Sequence, residues 1–267
     1  LVGSEMCIRD SAVTALAEHV AGTEEAFVGL MNERAKQLGL SCTFADCTGI
    51  SPESQVSAQD LAVIAAELSK HSGFFQYSAI WLDTFVHESG RQTEMNNANV
   101  LIKNELYDGM STGSTPSSGY SAAVSAQSGG GRFIAIVVGD KDTSSRFSLA
   151  EDLIGYAIAS YGVKQIARQG GKVKTVPVAN GNLKEVGVYA KEDLSILYKK
   201  GEESSISTEV QVPDLVAPLE EGQVVGKIAV TTPQGELSVA LAVEQQVQEQ
   251  SLSLIHISEP TRPEPIS

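Results

Sequence analysis

"YDGMSTGSTPSSGYS", Tyr107 to Ser121, is the stretch on which the fold turns. Inside it Gly109-Met110-Ser111-Thr112-Gly113 fits G-x-S-x-G, the pattern of a nucleophilic serine on a strand-turn-helix elbow. An elbow needs a helix directly behind the serine. Ser111 is succeeded by Thr-Gly-Ser-Thr-Pro-Ser-Ser-Gly-Tyr, and glycines, a proline and a run of hydroxyl residues do not sustain a helix. A catalytic triad also needs an acid and then a histidine downstream, and the only histidine after Ser111 is His256. The elbow reading fails, and the stretch is predicted to be extended.

Its surroundings support that reading. "GYSAAVSAQSGGGRFIAIVVGD" is two extended runs around a Ser-Gly-Gly-Gly turn, a hairpin signal, and Phe133 to Val138 reads as a buried strand. Upstream, Ala12 to about Leu40 reads as helical, with Thr23 as an N-cap, Glu24 and Glu25 in the first turn and Gly39 past the end. Ala26, Phe27, Leu30, Met31, Ala35 and Leu38 make one apolar face, read as core. "SAQDLAVIAAELSKHSG" repeats the grammar, with Ser57 as N-cap, Asp60 three residues on and Gly73 as the stop. "SLAEDLIGYAIASYG" does so again, with Ser148, Glu151 and Gly162. Beyond Gly162, short β-rich runs are broken by Asn-Gly, Pro-Asp and Pro-Gln-Gly turns, the grammar of a small all-β domain. The boundary is placed near Tyr161 to Lys164.

The two ends read as foreign. One plausible set of codons for "LVGSEMCIRDS", reverse-complemented, translates as Leu252 to Arg262. Two ends of a natural protein have no reason to encode each other's complement, and the string is similar to a sequencing adapter. The expected organisation is therefore 1–11 adapter, 12–162 a partial first domain, 163–251 a β-sandwich, and 252–267 adapter, with the native protein truncated at both ends. Without those ends basic residues fall from 19 to 17 and acidic ones from 33 to 29, so the formal charge moves from −14 to −12.

The acidic balance and scattered lysines exclude a nucleic-acid reading, since phosphate binding needs clustered cations. No apolar run approaches the length of a membrane span. Cys42 and Cys47 have no metal-ligand spacing; a disulfide and two buried thiols are both open. His19, His71 and His87 are scattered. Trp81 and Phe74-Phe75-Gln76-Tyr77 read as packing.

"DGMSTGSTPSSGYSAAVSA" resembles the K-T-G segment of the serine-type D-alanyl-D-alanine carboxypeptidases, the low-molecular-mass penicillin-binding proteins, which runs Asp-Gly-x-Lys-Thr-Gly-x-Thr-x-x-Ala-Gly-Tyr on a strand edging the active-site cleft. The resemblance is ordered and covers nearly the whole stretch between the two foreign ends. "ALAEHVAGTEEAFVGLMNERAKQLGL" is similar to the helices after the family's S-x-N motif. "CTGIS" resembles its Pro-Thr-Gly-Leu loop, "VSAQDLAVIAAEL" its Ser-x-Ala-x-Asp helix, and "NNANVLIKNELYDG" the lead-in to the cleft strand. "VAPLEEGQVVGKIAV" looks like its C-terminal β-sandwich.

The resemblance implies an α/β penicillin-recognising (serine β-lactamase-like) domain, an antiparallel sheet with helices on its faces, incomplete at its N-terminus and followed by a small all-β sandwich. It implies acyl-enzyme hydrolysis of the terminal D-Ala-D-Ala bond of the peptidoglycan stem pentapeptide, β-lactams as inhibitors, no metal or organic cofactor, and an extracytoplasmic location. The signal peptide is expected to have been lost by truncation, as is any C-terminal membrane anchor. No catalytic residue is present: no lysine has a serine three residues before it, so S-x-x-K is absent, and S-x-N falls at about 8–10, inside the adapter. The chain as given is predicted inactive. The third element survives as Ser111-Thr112-Gly113, with serine in place of lysine. The resemblance carries substrate contact to Ser111, Thr112, Gly113 and Thr115, against ordinary strand and turn hydroxyls. Arg146 matches a cleft arginine that binds a carboxylate, against a solvated helix-entry arginine. Carboxypeptidase, non-catalytic peptidoglycan-binding homologue and β-lactam-hydrolysing relative stay open; the second domain argues against the last.

Overall fold

The computed structural model describes residues 2–250, with side chains from residue 9 on. The expected C-terminal adapter, 252–267, lies outside the described residues. The chain divides into two compact units, one ending at Ser160 and one beginning at Tyr161.

The first unit opens with α1 (Val2–Ala21) packed on α2 (Glu24–Gln37). The helical stretch predicted from Ala12 to Leu40 is thus broken once. Gly22 adopts φ +87° and Thr23 is extended, so the ladder stops and restarts. Thr23 Oγ1 accepts from the Ala26 N–H at 3.1 Å, and Glu24 and Glu25 sit where the helix dipole favours anions. The face read as core is only partly covered: Ala35 is buried, whereas Ala26 is exposed and Leu30 is 48% exposed.

Ser57 and Asp60 form the predicted capping box at the start of α3 (Ala58–Leu68). The helix does not run to Gly73. The Ser69 hydroxyl donates to the Ala66 carbonyl at 2.7 Å, and the amides of Lys70 and His71 bond three residues back. That tightens the last turn before a short α4 (Ser72–Ser78) restarts with Gly73 inside it. The Arg34–Glu67–Lys70 ion pairs tie α2 to α3.

Cys42 and Cys47 are free thiols. Their loop runs back along α2: the Phe44 backbone pairs with Asn32, while the Cys47 thiol reaches Glu24, two helical turns earlier.

After the hairpin β1 (Leu82–Val86)–β2 (Gln92–Asn96) and a 3-10 turn at Val100–Lys103 capped by Asn99, three strands come next. They are β3 (Tyr107–Thr115), β4 (Gly119–Ser128) and β5 (Gly131–Asp140), antiparallel in the order β3-β4-β5. The predicted hairpin is β4–β5, turning at Gly129 and Gly130, both at positive φ. α5 (Thr143–Ser160) packs on β4 and β5, α3 packs on β5, and α4 packs on β3. Ala122, Val124, Ala126, Ala135 and Val137 from the sheet meet Phe147, Ala150 and Ile154 from α5 in one core. A fully buried Val124 or Ile154 there contributes about 1.5–3 kcal/mol, and each alanine methyl less. Ser148 is not the cap. The Asp142 carboxylate accepts from the Ser144 and Ser145 amides, both at 2.8 Å, so α5 starts at Thr143 and Ser148 lies within it. Nor is Gly162 the stop, because β6 begins at Tyr161.

The second unit is all β, as expected. A two-stranded sheet pairs β6 (Tyr161–Ala167) with β9 (Leu194–Lys199). A six-stranded sheet holds β7 (Lys172–Ala179), β8 (Glu185–Ala190), β10 (Ser207–Gln211), β11 (Leu215–Val216), β12 (Val224–Thr232) and β13 (Gly235–Val243), in the order β10-β12-β13-β8-β7-β11. Ala167 and Ile196 of the small sheet share one core with Val186, Val188, Val230, Leu241 and Val243 of the large one, which makes a sandwich. Pro233-Gln234 is the two-residue loop of the β12–β13 hairpin.

Candidate functional site

Ser111, Thr112, Gly113 and Thr115 all lie on β3, the first strand of its sheet. The serine is on a strand, not at a strand-helix elbow, and no imidazole is among its cross-strand neighbours. Directly opposite residues of a strand pair point to the same face. Met110 opposes Val124 and Thr112 opposes Ala122, and both partners belong to the core under α5. Ser111 opposes Ala123 and therefore points to the other face, where it is solvent-exposed. Ser111 and Thr112 thus flank the free edge of β3 from its two sides, with the strand backbone between them. Gly113 has open space where a side chain would stand. Thr115 Oγ1 is held in the β3–β4 turn, accepting from the Ser118 amide at 3.0 Å and sharing hydrogen bonds with the Ser117 and Ser118 hydroxyls.

Arg146 is not a solvated helix-entry arginine, the blander of its two expected roles. It is 5% exposed. Its Nη1 donates to the Gly113 and Ser121 carbonyls, each at 3.0 Å, and its guanidinium lies 4.7 Å from the Phe147 ring and 5.5 Å from that of Tyr120. The Ser121 carbonyl is available because β4 and β5 lose register there: Tyr120 opposes Asp140 and Ala122 opposes Val137, so Val138 and Gly139 bulge opposite Ser121. Burial pulls the guanidinium pKa below its ordinary value, against the opposing pull of Tyr120 and Asp140.

Sequence reasoning passed over the other end of the strand. The Arg132 Nη1 reaches Asp108 Oδ1 at 2.8 Å and Oδ2 at 2.7 Å, and also the Ser125 hydroxyl. Its guanidinium lies 3.6 Å over the Phe75 ring. Gln127 donates to the same carboxylate, and the Ser78 hydroxyl donates to the Asp108 carbonyl at 2.8 Å. A signal was present: Tyr107 and Met110 are apolar three residues apart, where a regular strand alternates in twos. Trp81 carries Lys103 4.0 Å over its ring, and His87 shares a 2.8 Å hydrogen bond with Thr93. Among the described residues, no three His, Cys, Asp or Glu side chains group as a metal site requires.

Comparison with known proteins gives this geometry a context. A family model described as D-alanyl-D-alanine carboxypeptidase matches residues 3–142, and one described as penicillin-binding protein 5, C-terminal domain, matches residues 161–249. The first match begins inside the stretch read as N-terminal adapter. The D-alanyl-D-alanine carboxypeptidase DacF of Bacillus subtilis is 32% identical over 235 residues, which is 85% of this chain and 60% of that protein. DacC of Escherichia coli is 33% identical over 230 residues, 85% of this chain and 56% of its own. The chain thus spans somewhat over half the length of the curated relatives it matches. Penicillin-binding protein 5 from Haemophilus influenzae superposes with a TM-score of 0.67 at 27% identity, covering 90% of this chain and 71% of that one. A peptidoglycan synthesis regulatory factor (PBP3) from Streptococcus pneumoniae shares the fold with a TM-score of 0.70 at 24% identity, covering 88% and 73%.

Proposed function

We infer the function from one premise: this chain belongs to the D-alanyl-D-alanine carboxypeptidase family of low-molecular-mass penicillin-binding proteins. The intact protein removes the terminal D-alanine of peptidoglycan stem pentapeptides, outside the cytoplasmic membrane. It does so through a serine acyl-enzyme whose nucleophile and proton-handling lysine belong to an S-x-x-K that this chain lacks. β-Lactams acylate the same serine. The residues present here make one wall of the cleft, and the chain by itself is inactive.

The observation that carries this reading is the placement of Ser111-Thr112-Gly113 on a free strand edge. An extended peptide adds to such an edge through main-chain hydrogen bonds. Its C-terminal carboxylate then meets hydroxyls at Ser111 and Thr112, and the space beside Gly113 leaves room for the methyl groups of D-alanine. Arg146 acts from behind by fixing the Gly113 carbonyl, and Thr115 shapes the turn that closes the strand.

One residue favours a second reading, a peptidoglycan-binding homologue without catalysis. Ser111 stands where the family's motif has a lysine, and a neutral donor to a carboxylate recovers only part of a charge-assisted bond. Covalent labelling of the full-length protein by a fluorescent penicillin separates the two. A labelled band that competing ampicillin removes supports the enzyme. An unlabelled protein that still retains peptidoglycan in a pull-down supports the silent binder.

A further inference from the structure

The free edge of β3 is useful only if the strand keeps its register. The antiparallel pairing with β4 skips at one residue: Tyr107 opposes Ala126 and Gly109 opposes Ser125, leaving Asp108 as the extra residue of a β-bulge. The bulge reverses the alternation of the strand. Tyr107 is 5% exposed and Met110 7%, and both face the α5 core. Regular alternation from Tyr107 would instead turn Gly109, Ser111 and Gly113 to that core and Met110 out of it.

A bulged residue has no ladder partner to hold it, so something else must. Asp108 is held by groups from three other elements. They are the Arg132 guanidinium of β5, itself stacked on Phe75 of α4, the Gln127 amide of β4, and the Ser78 hydroxyl of α4 on its carbonyl. Gly109 comes next at φ +125°, with Ser78 packed where a side chain would go. Arg132 and Asp108 are each only 20% exposed in their side chains, so the pair is partly desolvated.

We propose that Asp108 and Arg132 are positioning residues for the substrate edge: their ion pair holds the bulge and thereby fixes which of Ser111 and Thr112 lies on which side of β3. Without it the strand slips by one residue. With Tyr107 still opposite Ala126, Ser111 moves from Ala123 to Ala122 and turns into the α5 face, and Thr112 turns out.

The assignment of Ser111 and Thr112 to substrate rests on the proposed function, whereas the register itself does not, so it is read without any substrate or penicillin. In the full 267-residue chain, cross-strand NMR contacts are compared among the unaltered protein, Asp108→Ala and the milder Asp108→Asn, with amide exchange monitored in parallel. Ser111–Ala123 contacts are expected in the unaltered protein. Asp108→Ala gives Ser111–Ala122 contacts, or a mixture of the two. Asp108→Asn keeps the original contacts but exchanges its β3 amides at least tenfold faster, while those of β12 and β13 are unchanged. Arg132→Lys, which keeps the charge, retains the original pairing. Should Asp108→Ala fail to fold, Asp108→Asn decides by its β3 exchange. Unaltered Ser111–Ala123 contacts in a folded Asp108→Ala, or unaltered β3 exchange in Asp108→Asn, overturn the proposal. Loss of register with normal penicillin labelling of the full-length variant leaves the positioning intact and removes Ser111 from the substrate site.

Discussion

Arg146 donates from a single nitrogen to two carbonyls on adjacent strands, Gly113 on β3 and Ser121 on β4, each at 3.0 Å. The guanidinium is a clamp across the closed end of the β3–β4 pair. The β4–β5 bulge leaves Ser121, which still pairs with Gly113 on β3, without a direct partner on β5, and there the guanidinium supplies a donor.

Arg146→Ala removes the buried donor that the Gly113 and Ser121 carbonyls share and opens a cavity beside Phe147. Each lost bond costs about 1–3 kcal/mol. The expected loss is about 2–4 kcal/mol in urea unfolding of the first unit, with the second unit's transition unmoved. Arg146→Lys recovers part of it. A variant as stable as the parent would show that the clamp contributes nothing.

Gly109 and Gly187 make opposite predictions for the same substitution. At Gly109 the backbone is at φ +125° and the new methyl meets Ser78, which is itself committed to the Asp108 carbonyl, so Gly109→Ala should cost about 2–4 kcal/mol. At Gly187 the obstruction is the Glu244 carboxylate, held by Lys172 in an exposed 3.9 Å ion pair. That side chain swings away, and an exposed pair is worth about 0–1 kcal/mol, so Gly187→Ala should cost less than about 1 kcal/mol. Paired thermal melts test the contrast, and equal losses at the two sites would refute it.

How much of this was legible in the sequence depends on the range of the forces involved. The caps at Thr23 and Ser57, the β4–β5 turn and the all-β second unit depend on residues a few positions apart, and local chemistry reveals them. The strand through Ser111 was legible by exclusion, because its C-terminal flank cannot be a helix. The start of α5 was misplaced because Asp142 and Ser148 both offered a cap and Asp142 takes the Ser144 and Ser145 amides, and the end of α3 because Ser69 bonds back to the Ala66 carbonyl before Gly73 is reached. Arg146 and Arg132 were opaque for a different reason. Their partners lie 25 to 33 and 7 to 24 residues away, and only the packing of α5 on the sheet and the closure of the hairpin bring them together.

Acid should loosen the two capped helices before the sandwich. Hydrogen bonding from the Ser57 hydroxyl holds the Asp60 carboxyl below its ordinary value, and the Ser145 and Ser144 amides do the same for Asp142. A carboxyl depressed in the folded state stabilises above its unfolded pKa, near 3.8, and that contribution is lost as pH falls through the lower folded value. Stability should be flat from about pH 7 to 5 and decline below about pH 4. Asp60→Asn and Asp142→Asn should each flatten that decline, as read by helical circular dichroism against pH. An acid limb that neither substitution changes would assign the loss to other carboxyls.

Ser111→Lys asks whether the cleft strand still serves its ancestral purpose. A lysine there extends from the exposed face of β3 towards the position at which the proposed function puts the substrate carboxylate. Replacing a neutral donor of about 0.5–1.5 kcal/mol by a charged one of about 1.5–3 gains about 1 kcal/mol. In the full-length protein that becomes a roughly fivefold faster acylation by fluorescent penicillin, with most of the gain lost in high salt because the site is open to solvent. Slower labelling after the substitution would mean that the strand has adapted around the hydroxyl. Absence of label both before and after it would favour the silent peptidoglycan binder over the enzyme.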